Sequence, residues 1–190
     1  MANCKNNRGA QRTRRAIKTA FFQLAAEKPL RQITVAELVD AAEVSRGTFY
    51  LHYQDIYDLA ESAGVELLEQ VDAKLSDVLN APELKVDEFP LLREAFRFIK
   101  EHATEARFFL SDDGPASFRR GMGDLFLRVS MKAIEGRFAH LSANELEIFE
   151  AYTQAGVVGV VQSWMNSGFA ADADELAVTV GRIITAGLTR

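Results

Sequence analysis

The sequence has little of what stabilises small secreted proteins or places a protein in a membrane. Its 190 residues include one cysteine, four prolines and one tryptophan. The single thiol, Cys4, cannot form a disulfide within the chain or build a cysteine-based metal cage. The longest apolar run, residues 155–161, is much shorter than the roughly 20 residues that span a bilayer. The N-terminus also lacks the apolar stretch of a signal peptide, so we expect a cytoplasmic protein without disulfides, metal or cofactor.

The composition is that of a folded globular protein whose charge is unevenly distributed. Apolar residues make up 48% and charged residues 26% of the chain, which excludes a disordered or collagen-like protein. Residues 1–55 carry nine Lys or Arg and five Asp or Glu, a net charge of +4. Because the whole chain has a net charge of −5, the remaining residues have a net charge of −9. A basic head on an acidic body suggests a polyanion partner for the head. Many solvated helices carry such excesses, so charge alone leaves the partner open.

The head has the pattern of three helices. Residues 1–11 are polar without an apolar period, and we expect a mobile basic tail, followed by apolar residues at helical spacing from Ile17 until Pro29. Thr34 and Glu37 have the spacing of a capping box, which predicts a short helix over residues 35–42. Ser45 is placed to cap a second short helix over residues 46–53. Two short helices joined so tightly form a helix-turn-helix.

The rest of the chain also predicts helices. Asp55 can cap a long amphipathic helix whose apolar positions repeat every three or four residues from Ile56 to about residue 79. Breaks follow at Pro90, at residues 112–115, at residues 141–144 and at Gly168. No strand pattern is present, so we expect an all-α protein of about nine helices. Residues 12–55 would form the helix-turn-helix domain and residues 56–190 a larger helical domain entered through a linking helix, residues 56–79.

The segment ITVAELVDAAEVSRGTFYLHYQDIYDL, residues 33–59, resembles the DNA-binding domain of the tetracycline-repressor (TetR) family. The resemblance covers about residues 12–60, including the Gly-Thr-Phe-Tyr core, the aromatic Tyr53 after His52 and the Asp-Leu pair in the first turn of the long helix. It implies a homodimeric bacterial transcriptional regulator with a divergent ligand domain. At one position the chain departs from the family pattern. The family usually has a phosphate-binding lysine at the start of the long helix, where this chain has Ile56.

The second short helix has the residues that a recognition helix needs. Ser45, Arg46 and Thr48 offer short polar groups to base edges from its first turn, and Gly47 allows close backbone approach. Arg46 can bind guanine O6 and N7 in bidentate fashion. The TetR resemblance implies DNA contacts at Thr34, Ala36, Arg46, Gly47, Thr48, Tyr50 and His52. Phe49 and Tyr53 are assigned to the core.

The acidic body is rich in phenylalanine. Seven of the thirteen phenylalanines fall between residues 89 and 126. With Met and other aromatic residues they predict an apolar pocket for a small hydrophobic or aromatic effector, lined by Phe96, Phe108, Phe109, Met122, Phe126, Tyr152 and Trp164. Packed core is the alternative for any one of these residues. Arginines in this body are candidate anchors for an anionic effector, namely Arg93, Arg97, Arg107, Arg119 and Arg128.

The last two helices have the features of a subunit interface. Small residues on one helix allow close helix crossing, and an apolar stripe follows on the next. A twofold four-helix interface, which also fits the TetR resemblance, would use Ala155, Gly156, Gly159, Val160, Val180, Ile183 and Ile184. The alternative is packing within one chain.

These features predict a DNA-binding transcriptional regulator, most simply a repressor that a small-molecule effector releases from a pseudo-palindromic operator. Its partners would be double-stranded DNA, a second copy of the chain and an unknown small molecule, with no membrane involved. The alternative is a co-regulator of the same fold that acts through a protein partner and binds DNA weakly, an option to which Ile56 gives support. We do not expect an enzyme, because the sequence has no nucleophile with a placed base, no acid pair with metal-ligand spacing and no phosphate loop.

Overall fold

The structure is a computed structural model that describes residues 2–81, 89–133 and 141–186. All regular secondary structure in these ranges is helical, which confirms the predicted fold class. The α-helices in the described ranges are α1 (Ala2–Glu27), α2 (Val35–Ala41), α3 (Arg46–Tyr50), α4 (Ile56–Leu79), α5 (Pro90–Glu101), α6 (Ala103–Phe109), α7 (Ala116–Ala133), α8 (Ala143–Asn166) and α9 (Ala173–Ala186). A single 3₁₀ turn, Leu30–Gln32, lies between α1 and α2.

The first helix begins much earlier than the sequence pattern predicted. Residues 2–11, expected as a mobile tail, form the first turns of α1. Extending an existing helix adds one hydrogen bond for each residue fixed, and no proline interrupts the chain before Pro29. The amphipathic segment that begins at Ile17 therefore continues as helix into a polar stretch that has no apolar period of its own.

The turn between α2 and α3 is a tight helix end of the Schellman type. The Glu43 N–H donates to the Asp40 carbonyl at 3.2 Å, and the Val44 N–H donates to the Val39 carbonyl at 3.0 Å. This geometry places the residue after the helix cap in the left-handed region, which glycine adopts most easily. Here that residue is Glu43, with φ at 53°. The sharp connection expected from the sequence therefore exists at the cost of an unfavourable backbone conformation.

The first of two compact units consists of residues up to Glu66 together with Thr104–Phe118. Helices α1, α2 and α3 pack around Phe21, Leu38, Phe49 and Leu59, all fully buried. Helix α6 joins them through edge-to-face ring contacts, with Phe108 lying 5.2 Å from Phe21 between ring centroids. Part of the chain's middle region thus completes the core of the helix-turn-helix unit.

The second unit consists of Leu67–Ala103 and residues from Arg119 onward. Helix α5 packs against α9, where Gly181 lies so close to the Phe89 ring that a Cβ atom would overlap it. Asp174 at the start of α9 accepts hydrogen bonds from Arg97 and pairs with Arg93 at 3.4 Å. The Phe96 ring lies 5.5 Å from Trp164 of α8. These contacts give the unit an aromatic core of its own.

Packing divides the chain differently from the boundary predicted at residue 55. The first eleven residues of α4, up to Glu66, belong to the helix-turn-helix unit, and so does α6. Sequence periodicity identifies a helix but does not say which neighbours cover its face. Within the described ranges no helix is long and apolar enough to cross a membrane.

We predict that Glu43→Gly stabilises the protein. Glycine adopts the left-handed conformation without the cost that a side chain incurs, but it loses more backbone entropy on folding. The net effect should be a rise of about 0.5–1 kcal/mol in the free energy of unfolding, measured by urea denaturation. Glu43→Ala removes the same carboxylate but keeps the strain, so it should give no such rise. Equal behaviour of the two variants would contradict the prediction.

Candidate nucleic-acid interface

The aromatic side chain of Phe49 anchors helix α3 in the core of its unit. Phe49 has 0% of its surface exposed, and its ring lies 5.8 Å from Tyr53. Tyr53 is also buried, as the sequence predicted for both residues. Because a helix of five residues has no stability by itself, this burial fixes the side of α3 that faces solvent.

The opening turn of α3 presents two hydroxyl groups. The Ser45 hydroxyl caps the helix by accepting from the Thr48 N–H at 3.0 Å, as predicted. The Ser45 Oγ and Thr48 Oγ1 atoms lie 2.8 Å apart and share one hydrogen bond, in which either can be the donor. One hydroxyl hydrogen of the pair is therefore left to donate to a phosphate oxygen or a base edge.

The other predicted DNA contacts on α3 and just beyond it are largely accessible. Arg46, Gly47 and Tyr50 are exposed, and His52 is half-buried. A Cβ on Gly47 would meet nothing closer than the Ser45 Oγ at 3.7 Å. Within this unit, Gly47 therefore leaves open space, which an approaching duplex can use. The structure brings Ser45, Arg46, Gly47 and Thr48 together on one helical turn.

The start of α2 is fixed by a charged network around Glu37. The Thr34 hydroxyl and N–H donate to the Glu37 carboxylate at 2.7 and 3.1 Å, and Glu37 N–H donates back to Thr34 at 3.3 Å. Lys28 contacts the other carboxylate oxygen at 2.6 Å. The Lys28 hydrogen bond, then those from Thr34, lower the pKa of Glu37 from 4.5 to about 2. The predicted capping box is confirmed, and Thr34 is exposed with Ala36 half-buried beside it.

Two residues that follow α3 bear on the predicted interface. Ile56 is buried, so its side chain is part of the core of this unit and does not replace the family lysine at a phosphate. Leu51, which the sequence analysis did not single out, is 82% exposed at the C-terminal cap of α3. An exposed apolar side chain beside a recognition helix is a candidate contact for a thymine methyl group.

A row of arginines lies along the N-terminal half of α1. Arg8, Arg12 and Arg15 are exposed, and their spacing places them along one side of the helix. Arg14 is also exposed; burial raises the pKa of Tyr53, and the nearby charge of Arg14 opposes that rise. Tyr53 follows the recognition helix, so this part of α1 lies near the end of α3. The positive charge of the head thus extends beside the predicted contacts.

The predicted pocket residues are distributed between the two compact units. Phe108 and Phe109 pack with Phe21 and Phe22 in the core of the helix-turn-helix unit. Tyr152 is 77% exposed on α8. These three assignments are corrected: ring spacing along the sequence does not show which unit a ring joins. In the second unit, Phe96 and Trp164 are buried in contact, and Met122 and Phe126 of α7 are half-buried.

Three of the arginines proposed as anchors have acidic partners within the second unit. Arg93 and Arg97 pair with Asp174, and Arg128 pairs with Asp72 at 2.8 Å. The Arg97 hydrogen bond lowers the pKa of Asp174. These arginines contribute to packing between helices, so an anionic effector would have to compete with a carboxylate at each of them.

The residues predicted for the subunit interface differ in their exposure to solvent. Ala155, Gly156, Gly159 and Ile183 are exposed, and Val160 and Ile184 are half-buried. Val180 is buried beside Gly181 on the face of α9 that packs against α5, so it is corrected to a core residue. Ile148 and Tyr152, both exposed, continue the row of Ala155, Gly156 and Gly159 at helical spacing along α8. The sequence analysis assigned neither residue to the interface, because α8 is apolar on most sides and its pattern does not show which side is exposed.

Two family models match the chain. The family described as "Bacterial regulatory proteins, tetR family" matches residues 17–65. The family described as "Transcriptional regulator C-terminal region" matches residues 88–186, more than half of the chain. The chain belongs to the TetR family of bacterial transcriptional regulators. The first match contains the capped helices α2 and α3 and every predicted DNA-contact residue.

Known relatives of this TetR-family chain share its fold at low sequence identity. The HTH-type transcriptional regulator YxbF of Bacillus subtilis is 24% identical over 176 residues, and the match spans 89% of this chain but 44% of that protein. The fatty acid degradation regulator FadR from Bacillus halodurans has a TM-score of 0.76 at 19% identity, covering 94% of this chain and 97% of its own. FadR from Bacillus subtilis, solved with stearoyl-CoA, has a TM-score of 0.69 at 16% identity, covering 90% and 97%. At these low identities, the TM-scores of the two FadR structures establish a shared fold.

We predict that Glu37→Gln makes the protein less stable in a pH-dependent way. Because the folded-state pKa of about 2 lies below the unfolded value of 4.5, the carboxylate stabilises the fold fully above pH 4.5, and this contribution is lost as the pH falls towards 2. The urea midpoint of the variant should therefore lie below that of the wild type at pH 7 and approach it as the pH falls. Glu27→Gln, a control at the end of α1, reports the loss of one negative charge alone. A difference that does not change with pH would contradict the assignment.

Proposed function

We propose that this TetR-family regulator is a repressor that binds a pseudo-palindromic operator as a homodimer and is released by an apolar effector. The observation that carries the proposal is the first turn of α3. Arg46 is exposed there and Thr48 is half-buried, while Phe49 anchors the helix in the core. A short helix anchored in this way can enter the major groove with its N-terminal residues towards the base edges. Specificity then comes from Arg46, with Ser45 and Thr48 offering hydroxyl groups to base edges, while Thr34, Tyr50 and His52 contact the DNA backbone and fix the register.

The proposed dimer uses the exposed row on α8. Ile148, Tyr152, Ala155, Gly156 and Gly159 offer apolar and small residues at helical spacing, with Ile183 exposed on α9. Among the described residues, a Cβ on Gly156 or Gly159 would meet nothing within 4 Å. Close approach by a second copy gives these two glycines a use that packing within one chain does not. A twofold dimer places two recognition helices on half-sites about 34–36 Å apart.

The proposed effector carries a long apolar group that binds in the second unit. Phe96 and Trp164 with the half-buried Met122 and Phe126 supply an apolar lining. The solved FadR structure with stearoyl-CoA suggests long-chain acyl-CoA as the first class of compound to test. Helix α4 runs without a break from the helix-turn-helix unit into the second unit, so a shift of α4 would change the separation of the recognition helices. Coupling of this kind is typically worth about 1–3 kcal/mol.

A second candidate function is a co-regulator that acts through a protein partner. The buried Ile56 supports it, because one phosphate contact of the family is absent. Such a protein would bind DNA weakly and without sequence preference. The experiment on operator selection distinguishes the two functions.

We predict that the purified protein selects an inverted repeat from sheared host DNA at near-physiological salt. Arg46→Ala should then weaken binding to that repeat by about 1–3 kcal/mol and relax the preference at one base pair of each half-site. Arg31→Ala, another exposed arginine of the same unit, should leave the base preference unchanged. Absence of any enriched repeat would favour the co-regulator. An unchanged footprint for Arg46→Ala would contradict the assignment of that residue.

We predict that Tyr152→Glu dissociates the dimer. A charge in the middle of an apolar interface loses its hydration without gaining a partner. Light scattering after size-exclusion chromatography should show a dimer for the wild type and a monomer for the variant, with helical content retained. Tyr57→Glu places the same charge at an exposed tyrosine of α4 and should remain dimeric. A dimeric Tyr152→Glu variant would place the interface elsewhere.

A further inference from the structure

One polar side chain in the second unit is buried without a hydrogen-bond partner. Thr153, near the middle of α8, is 6% exposed. Among the described residues its hydroxyl oxygen has no hydrogen-bond partner, and water does not reach it. A buried hydroxyl without a partner loses its bonds to water and gains nothing in return. The free protein therefore carries an unsatisfied donor in this core.

Other threonines on a helix of the same unit avoid this cost. The Thr179 hydroxyl donates to the Glu175 carbonyl at 2.9 Å, and the Thr185 hydroxyl donates to the Gly181 carbonyl at 2.9 Å. Each bond reaches back one helical turn, which any helical threonine can do. Thr153 does not make this local bond. Its hydroxyl is thus left for an acceptor from outside its own helix.

Thr153 lies on the buried face of α8, next to a close helix crossing. Val161 and Trp164, buried on the same face of α8, are two and three turns further along. Gln154, the next residue, lies so close to Gly123 of α7 that a Cβ there would overlap its amide group. Val157, one turn beyond Thr153, is only half-buried. The buried face of α8 is therefore apolar apart from Thr153. Beside Thr153 the helix approaches α7, and one turn further on, the described residues cover Val157 only in part.

We propose that the Thr153 hydroxyl is the polar anchor of the effector site and donates a hydrogen bond to a carbonyl oxygen of a ligand whose buried part is otherwise apolar. This inference rests on the proposed function, because it assigns a residue to the effector. A neutral carbonyl fits better than a carboxylate, since one neutral hydroxyl in an apolar region does not compensate for burying a charge. An apolar pocket with a single placed donor fixes the orientation of its ligand.

The test compares two ligands that differ at the carbonyl. Stearoyl-CoA carries a thioester carbonyl, whereas octadecyl-CoA, a thioether, lacks it. Calorimetric titration of the full-length wild type should give about tenfold or more tighter binding of the thioester, the equivalent of about one buried hydrogen bond. Thr153→Val, which replaces the hydroxyl by a methyl group of similar size, should bind both ligands equally. Thr153→Ser should keep the preference, and the control Thr179→Val should behave as the wild type.

The outcomes separate this inference from the proposed function. Equal binding of the two ligands by the wild type, or an unchanged preference in Thr153→Val, would overturn the Thr153 assignment and leave the effector class standing. Failure of the wild type to bind either ligand would overturn the effector class and the anchor with it. Urea unfolding without ligand gives an independent check. Thr153→Val should unfold at or above the wild-type midpoint, and a clearly lower midpoint would mean that the hydroxyl already has a partner, which overturns the proposal.

Discussion

The surface proposed to contact DNA depends on the burial of Phe49. Helix α3 has five residues, too few to be stable without tertiary contacts. The Phe49 ring fixes its rotation, the Ser45 hydroxyl satisfies its first turn, and the left-handed Glu43 sets its angle to α2. The polar groups of α3 are therefore held in position by the apolar contact of Phe49, whereas Thr34 is held by its capping box with Glu37. Loss of that contact would remove Arg46 and Thr48 from position together.

The boundary between the two sequence families does not coincide with the boundary of packing. Helix α6 lies within the C-terminal family match, yet its Phe108 and Phe109 side chains are part of the core around α1. Phe109 also stacks on Phe118, at 4.4 Å between ring centroids, and its ring packs against α4 at Gly64. The helix-turn-helix is consequently not an independent module in this chain. Any displacement of α6 must alter the core on which α1 and α4 pack, because close-packed rings transmit movement.

Local features of the structure were predictable from the sequence, whereas long-range ones were not. The caps at Thr34, Ser45 and Asp55 depend on residues three positions apart, and α4 begins and ends within a residue of the prediction. The position of Phe108 depends on Phe21, which is 87 residues away, and helical spacing carries no information about that pairing. Helix α8 is apolar on most sides, so its period could not distinguish the exposed Tyr152 from the buried Thr153. The extension of α1 through residues 2–11 depends on helix propagation, which a polar stretch does not reveal.

The burial of Ile56 separates affinity from specificity in this family member. A lysine at that position would contact a phosphate, which raises affinity for all sequences alike and steepens the salt dependence. Isoleucine contributes instead to the core beneath the start of α4. The exposed Arg8, Arg12 and Arg15 on α1 add positive charge elsewhere on the same unit, where they can replace the missing phosphate contact without touching a base. The proposed readout by Arg46 does not depend on this exchange, because base edges, not phosphates, distinguish one site from another.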